Sequence, residues 1–242
     1  SLTVLTFLLI SYKRKILKSF YDSGLPGFFG GLILSIGFCG YVFAMYKTTV
    51  ANTNFIISLQ ILFLAIFGYF FLNEKISLRG FFSIILAFIG MIVLVGDSIN
   101  SGSLFGNIVA FAIPINFTIL VMIIRKFPSL DMVPAIFYSG IFSGVYGLVM
   151  SENLIFSSND LLMGFLLGVP QLAFGFICVT IGSKSTPAVT VGLLMLLETI
   201  FAPIWVWLFL GEIPPLSVFI GGFIIILAVV SKSFDNKTKK IS

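Results

Sequence analysis

The sequence predicts an all-α membrane protein: a ten-helix inverted-repeat (five plus five) bundle, of which this chain holds eight full spans plus part of one. Three observations predict it. The composition is apolar, the apolar residues fall in runs of membrane length, and the two halves of the chain resemble each other in opposite orientations. Of 242 residues, 59% are hydrophobic and 10% charged, with a mean hydropathy of +1.16. A soluble domain is about a quarter charged. This much apolar surface needs lipid as its solvent.

A spanning helix takes about 20 mostly apolar residues at 1.5 Å each. Residues 27–46, 49–72, 78–96, 103–124, 132–150, 161–182, 187–210 and 215–232 meet that length. The connections carry turn formers, such as Asp97-Ser98-Ile99-Asn100-Ser101-Gly102 and Ser157-Ser158-Asn159-Asp160. No run alternates with the two-residue period of a strand, which argues against a β-barrel. Residues 1–11 are apolar but too short to span. Basic residues follow this run and no small-residue cleavage site is present, so it does not read as a signal peptide. It reads as the tail of a helix.

Charge gives the topology. With alternate connections on alternate sides, one side collects Lys13, Arg14, Lys15, Lys18, Lys75, Arg79, Arg125, Lys126, Lys184, Lys232, Lys237, Lys239 and Lys240. The other collects only Lys47. By the positive-inside rule the basic side is cytoplasmic and the C-terminus lies there. The expected location is a bacterial inner membrane. The same bias explains the net charge of +5 without invoking nucleic acid.

A shift of 138 residues aligns the halves. It carries Phe71-Leu72-Asn73-Glu74 onto Phe209-Leu210-Gly211-Glu212, and Thr48 onto Thr186. The charge layout puts Glu74 inside and Glu212 outside, so the halves are inverted. Inverted repeats suit secondary transporters, because two packings of one motif give inward-open and outward-open states of similar energy. Residues 1–97 read as the first repeat, 98–233 as the second and inverted one, and 234–242 as a basic tail. The offset places the first repeat's start about 36 residues before position 1, so its first helix and part of its second are expected to be missing.

Thr186-Pro187-Ala188 opens a helix that continues through Leu196-Leu197-Glu198, Phe201-Ala202 and Leu210-Gly211-Glu212, and Leu72-Asn73-Glu74-Lys75 echoes its end. These residues resemble the ninth span of the drug/metabolite transporter superfamily, EamA type. Where that family often has Pro directly after the glutamate, Thr199 stands here and Pro203 follows later. The resemblance covers essentially the whole chain. It implies a carrier of small metabolites, amino acids or related compounds among them.

Of nine acidic residues, only Glu198 falls in the middle of a span. A charge at that depth costs at least about 2.5–3.5 kcal/mol on insertion scales, so Glu198 is expected to face the bundle interior or water. There it can couple protons or bind an amine, or be a structural acid held by interhelical hydrogen bonds. Gln60 is its repeat mate, on a helix that also carries Asn52, Thr53 and Asn54. Gln60 and Asn52 read either as substrate-binding groups or as interhelical glue. Pro114 and Pro170 are candidate hinges that free backbone carbonyls near Ala110 and Leu166, with Asn116 and Gln171 beside them as candidate substrate ligands. Tyr41 and Trp205 could stack on a flat or cationic substrate; Trp205 follows Glu198 by seven residues and shares its face. Gly140 with Gly144, and Gly164 with Gly168, predict close helix crossings.

Other chemistry finds little support. Histidine is absent, which removes the commonest general base and metal ligand. No phosphate loop is present, so ATP is not expected as the energy source, and with no histidine and no metal-ligand cluster in the sequence neither a metal nor another cofactor is expected. Cys39 and Cys178 lie in apolar runs and read as small buried hydrophobes. A membrane enzyme of the lipid-transferase or protease type would rest on Glu198 almost alone. A channel would present rings of like polar groups, whereas here Glu198 answers Gln60. The expected partners are the lipid bilayer and a small-molecule substrate.

Overall fold

The computed structural model describes residues 1–96, 103–151, 157–211 and 213–238. Glu212 and the boundary between residues 97 and 98 lie outside the described residues. Among these the chain is helical throughout, and the elements are α1 (Leu2–Tyr12), a 3-10 turn (Lys13–Lys15), α2 (Ile16–Lys47), α3 (Val50–Ser58), α4 (Gln60–Leu72), α5 (Leu78–Val95) and α6 (Leu104–Lys126). They continue with α7 (Val133–Met150), α8 (Ser158–Leu166), a π-helix (Leu167–Phe174), α9 (Gly175–Ser183), α10 (Ala188–Met195), α11 (Leu197–Leu210) and α12 (Leu216–Thr238). Eight helical stretches are long and apolar enough to cross a membrane. They coincide with the eight predicted runs to within a few residues, except that α2 extends back to Ile16.

Local chemistry sets the helix starts. Thr49 and Ser77 cap α3 and α5 by accepting hydrogen bonds from the Asn52 and Gly80 amides. Ser157 and Asp160 form a reciprocal capping box at α8. Within α2, Gly24 takes φ +50°, a conformation open to glycine. It separates a short segment, 16–23, from the spanning helix.

The chain forms two compact units, residues 1–40 with 119–185 and residues 41–118 with 186–242. In the first, Val4 and Leu8 of α1 share a core with Val133 and Ile136 of α7 and with Ala173 and Ile177. Ser1 lies against Gly140, and Tyr12 hydrogen-bonds Asp131 at the other end. Helices α1 and α7 therefore run antiparallel. Gly31 lets α2 approach α7 closely, since a methyl there would stand 2.6 Å from the Ala135 carbonyl oxygen. Arg125 donates to the Ser183 carbonyl at 3.3 Å.

In the second unit α5 and α12 pack along their length. Gly80 lies near Lys232, and Gly90 faces Gly221, Ile224 and Ile225, so these two helices also run antiparallel. Helices α4 and α10 cross closely, with Gly68 against Ala188 and Gly192 against Ile61. The Glu74 carboxylate accepts a hydrogen bond from the Ala188 amide at 2.9 Å, placing negative charge at the amino end of α10, where the helix dipole favours it. The 138-residue offset carries the start of α3 onto that of α10 and the start of α5 onto that of α12.

Of the close crossings predicted at Gly140 with Gly144 and at Gly164 with Gly168, the described residues show one at Gly140 and none at the other three. A methyl at Gly140 would stand 2.8 Å from the Ser1 nitrogen, whereas one at Gly144, Gly164 or Gly168 would meet none of the described residues within 4 Å. Small residues permit a close approach, but the apolar faces that pack decide where one occurs.

Candidate functional site

The spanning stretch 50–72 is broken at Leu59, and the stretch 188–210 at Leu196. At each break the pattern tightens to bonds between residues three apart: Leu59 N–H to the Ile56 carbonyl and Leu62 N–H to Leu59, then Thr199 N–H to the Leu196 carbonyl. Side chains reinforce both turns. The Ser58 hydroxyl donates to the Phe55 carbonyl at 2.6 Å and the Thr199 hydroxyl to Leu196 at 2.7 Å. Each break starts a second helical segment in mid-span, although the Phe63 and Leu196 N–H groups still reach the Leu59 and Gly192 carbonyls four residues back. Pro203 adds to the second break, because it has no N–H to offer the Thr199 carbonyl one turn back.

Gln60 is the first residue of α4, and Glu198 lies in the first turn of α11. The candidate acid thus sits where the macrodipole of α11 favours negative charge. Ile61, beside Gln60, and Leu196 and Ile200, on either side of Glu198, belong to one apolar cluster. The two breaks therefore rest on a common core. Gln60 is 5% exposed. Glu198 is exposed and lies within electrostatic reach of the Tyr41 hydroxyl. Tyr41 is itself 41% exposed.

The remaining candidates divide between the units. Asn52 is buried, and its amide donates to the Thr48 hydroxyl and to the Asn107 side-chain oxygen, each at 3.4 Å. Thr48 donates to the same Asn107 oxygen at 2.6 Å. This triad ties the ends of α2 and α3 to α6. Asn116 is half-buried and Pro114 buried. Around Pro114, α6 continues as an α-helix, with the Thr118 hydroxyl bonded to the Pro114 carbonyl at 2.7 Å. Ala110, near the carbonyl expected to be freed, is fully buried beside Ala44 and Ile56. Trp205 is exposed and stacks on Phe209, with centroids 5.8 Å apart. All of these belong to the second unit.

Pro170 and Gln171 belong to the first unit, and both are exposed. Pro170 does not simply kink its helix. The chain widens into eight residues of π-helix around it, a local form frequent at functional sites. Sequence reasoning missed both the π-helix and the helix breaks. Leu59 and Leu196 carry no glycine or proline signal; only Pro203, downstream, hints at the second break.

Comparison with known proteins agrees with this architecture. The profile of the EamA-like transporter family matches residues 1–96 and 100–233. A protein of Methanothermobacter thermautotrophicus named an uncharacterized transporter is 30% identical over 208 residues, which is 78% of this chain. The match covers 58% of that relative's length. An uncharacterized transporter of Clostridium kluyveri is 27% identical over 91% of this chain and 75% of its own length. A solved crystal structure superposes with a TM-score of 0.68 at 15% identity, covering 96% of both chains, which supports the fold alone. The chain belongs to the EamA-like transporter family, and its eight membrane-length helices make it a multi-pass integral membrane protein.

Proposed function

We propose that this protein is a carrier of small polar metabolites, amino acids or related compounds among them, that works by alternating access. Glu198 is the group that binds a substrate amine or exchanges a proton. The carrying observation is its position: an exposed carboxylate in the first turn of a mid-span half-helix. Gln60, at the start of the mate half-helix, supplies a second polar group on the same core. A membrane rewards such placement only where water or a substrate meets the group.

Antiparallel packing of α1 with α7 and of α5 with α12 supports two inverted repeats, 1–97 and 98–233. The relatives' names support transport. The basic bias of one side supports a cytoplasmic C-terminus in a bacterial inner membrane.

The test is counterflow in proteoliposomes, with radiolabelled amino acids and related amines as probes. The proposal expects saturable counterflow for at least one probe and its loss in Glu198→Gln. Flux that neither saturates nor shows counterflow points to a channel and overturns the carrier. Unchanged counterflow in Glu198→Gln removes Glu198 from the site.

A further inference from the structure

Between α1 and the spanning part of α2, the chain does not make a simple loop. It forms the 3-10 turn Lys13–Lys15, opened by Lys13 at φ +48°, and then the short helical segment 16–23, closed by Gly24. One face of this segment is fixed to its own unit. Ser19 and Ser23 are buried. The Ser19 hydroxyl donates to the Asp131 carboxylate, which also accepts from the Val133 amide. The Phe20 ring meets Phe137 and Tyr138 edge-on, with centroids 5.2 and 5.7 Å away. With that face docked, the orientation of the others is set.

The outward faces are two distinct strips. Leu17 and Tyr21, one turn apart, are 81% and 85% exposed, and Leu25, just past the Gly24 kink, is 71% exposed. On the next strip stand Lys18 and Asp22, with Lys13 and Lys15 exposed in the preceding turn. An apolar edge beside Lys18, with Lys13 and Lys15 exposed in the turn that leads into it, suits a helix lying in the membrane interface. The location suits it, since the segment joins two apolar helices on the side that collects the basic connections. Asp22 is the one acidic residue exposed on the segment itself; Asp131 is engaged on the docked face.

We propose that residues 13–25 form an in-plane platform for anionic phospholipid. Leu17, Tyr21 and Leu25 enter the acyl boundary, while Lys13, Lys15 and Lys18 hold headgroup phosphate. A neutral zwitterionic surface offers the apolar strip its partner but brings no net charge to the three lysines, which Asp22 alone on the segment only partly offsets. The platform is independent of Glu198 and of whatever the carrier moves.

The test uses the purified full chain in neutral detergent, with thermal unfolding followed during titration with short-chain phosphatidylglycerol or phosphatidylcholine. Phosphatidylglycerol is expected to stabilise at the lower concentration. Each lysine near a headgroup surface contributes on the order of a five-fold factor. The triple variant K13Q/K15Q/K18Q should therefore raise the half-saturating phosphatidylglycerol concentration at least about ten-fold. Lys47→Gln, on the opposite side, should leave it unchanged. If the triple variant does not fold, Lys15→Gln alone should shift the midpoint about five-fold. Equal responses to the two lipids, or lysine variants that titrate like the parent, overturn the proposal. So does a full response to inorganic phosphate alone, which would make the site one for a free anion.

Discussion

Replacing Gly221 by alanine should destabilise the protein through one identifiable clash. The added methyl would stand 2.5 Å from the Gly90 carbonyl oxygen and 2.6 Å from both Cβ and the amide nitrogen of Leu94. Ordinary contact begins near 3.5 Å, so α5 and α12 must part by about 1 Å at their crossing. Backbone atoms cannot rotate away as a side-chain tip can. Overpacking of this kind costs roughly 1–3 kcal/mol. For a chain of this size each kcal/mol moves a soluble protein's Tm by about 2–4 °C, so a cost near 2 kcal/mol lowers Tm by roughly 4–8 °C. Thermal unfolding in mild detergent reads it directly. Gly222→Ala is the near control, because its methyl meets the Ile200 side chain at 3.2 Å, and Gly144→Ala is the far one, with nothing within 4 Å. If Gly221→Ala melts with Gly144→Ala, the antiparallel pairing of α5 and α12 is wrong.

Other substitutions probe the remaining contacts. Glu74→Ala removes the acceptor at the start of α10 and should cost about 1 kcal/mol, a typical cap. Glu74→Gln keeps an oxygen there and should recover part of it, which paired melts would show. Asp131→Ala takes away the acceptor of Ser19 and of the Val133 amide and should cost about 1–3 kcal/mol. It should also expose the 16–23 segment to proteolysis, readable by mass spectrometry. Gly192→Val pushes a branched side chain toward the Ile61 backbone, where even a Cβ would stand 3.0 Å from Cα. It should lower both Tm and transport, checked on one preparation.

The spans were legible because hydropathy over about 20 residues averages out local detail. The interruptions within spans were not. Leu59 and Leu196 sit in unbroken apolar runs, where periodicity is blind to a change from four-residue to three-residue hydrogen bonding. Pro170 announced an irregularity but not its form. Gly144, Gly164 and Gly168 misled for a related reason: spacing shows where helices could approach, and packing partners show where they do. Asn52 shows the limit for single polar residues. Its sequence position suits a ligand, while its amide is engaged by Thr48 and Asn107. Glu198 and Gln60 were legible as singular polar groups in apolar surroundings, but their place at half-helix starts came only with the structure.

The most direct test of the central claim asks what medium surrounds the site. Tyr41→Cys, in a chain with Cys39→Ser and Cys178→Ser, places a thiol at a half-exposed position within electrostatic reach of Glu198. Oriented vesicles are treated with a charged, membrane-impermeant thiol reagent from either face, and in parallel with a lipid-soluble maleimide. The account predicts labelling by the charged reagent from both faces, slowed by a transported substrate. Labelling by the lipid-soluble reagent alone would place the site against acyl chains and contradict it.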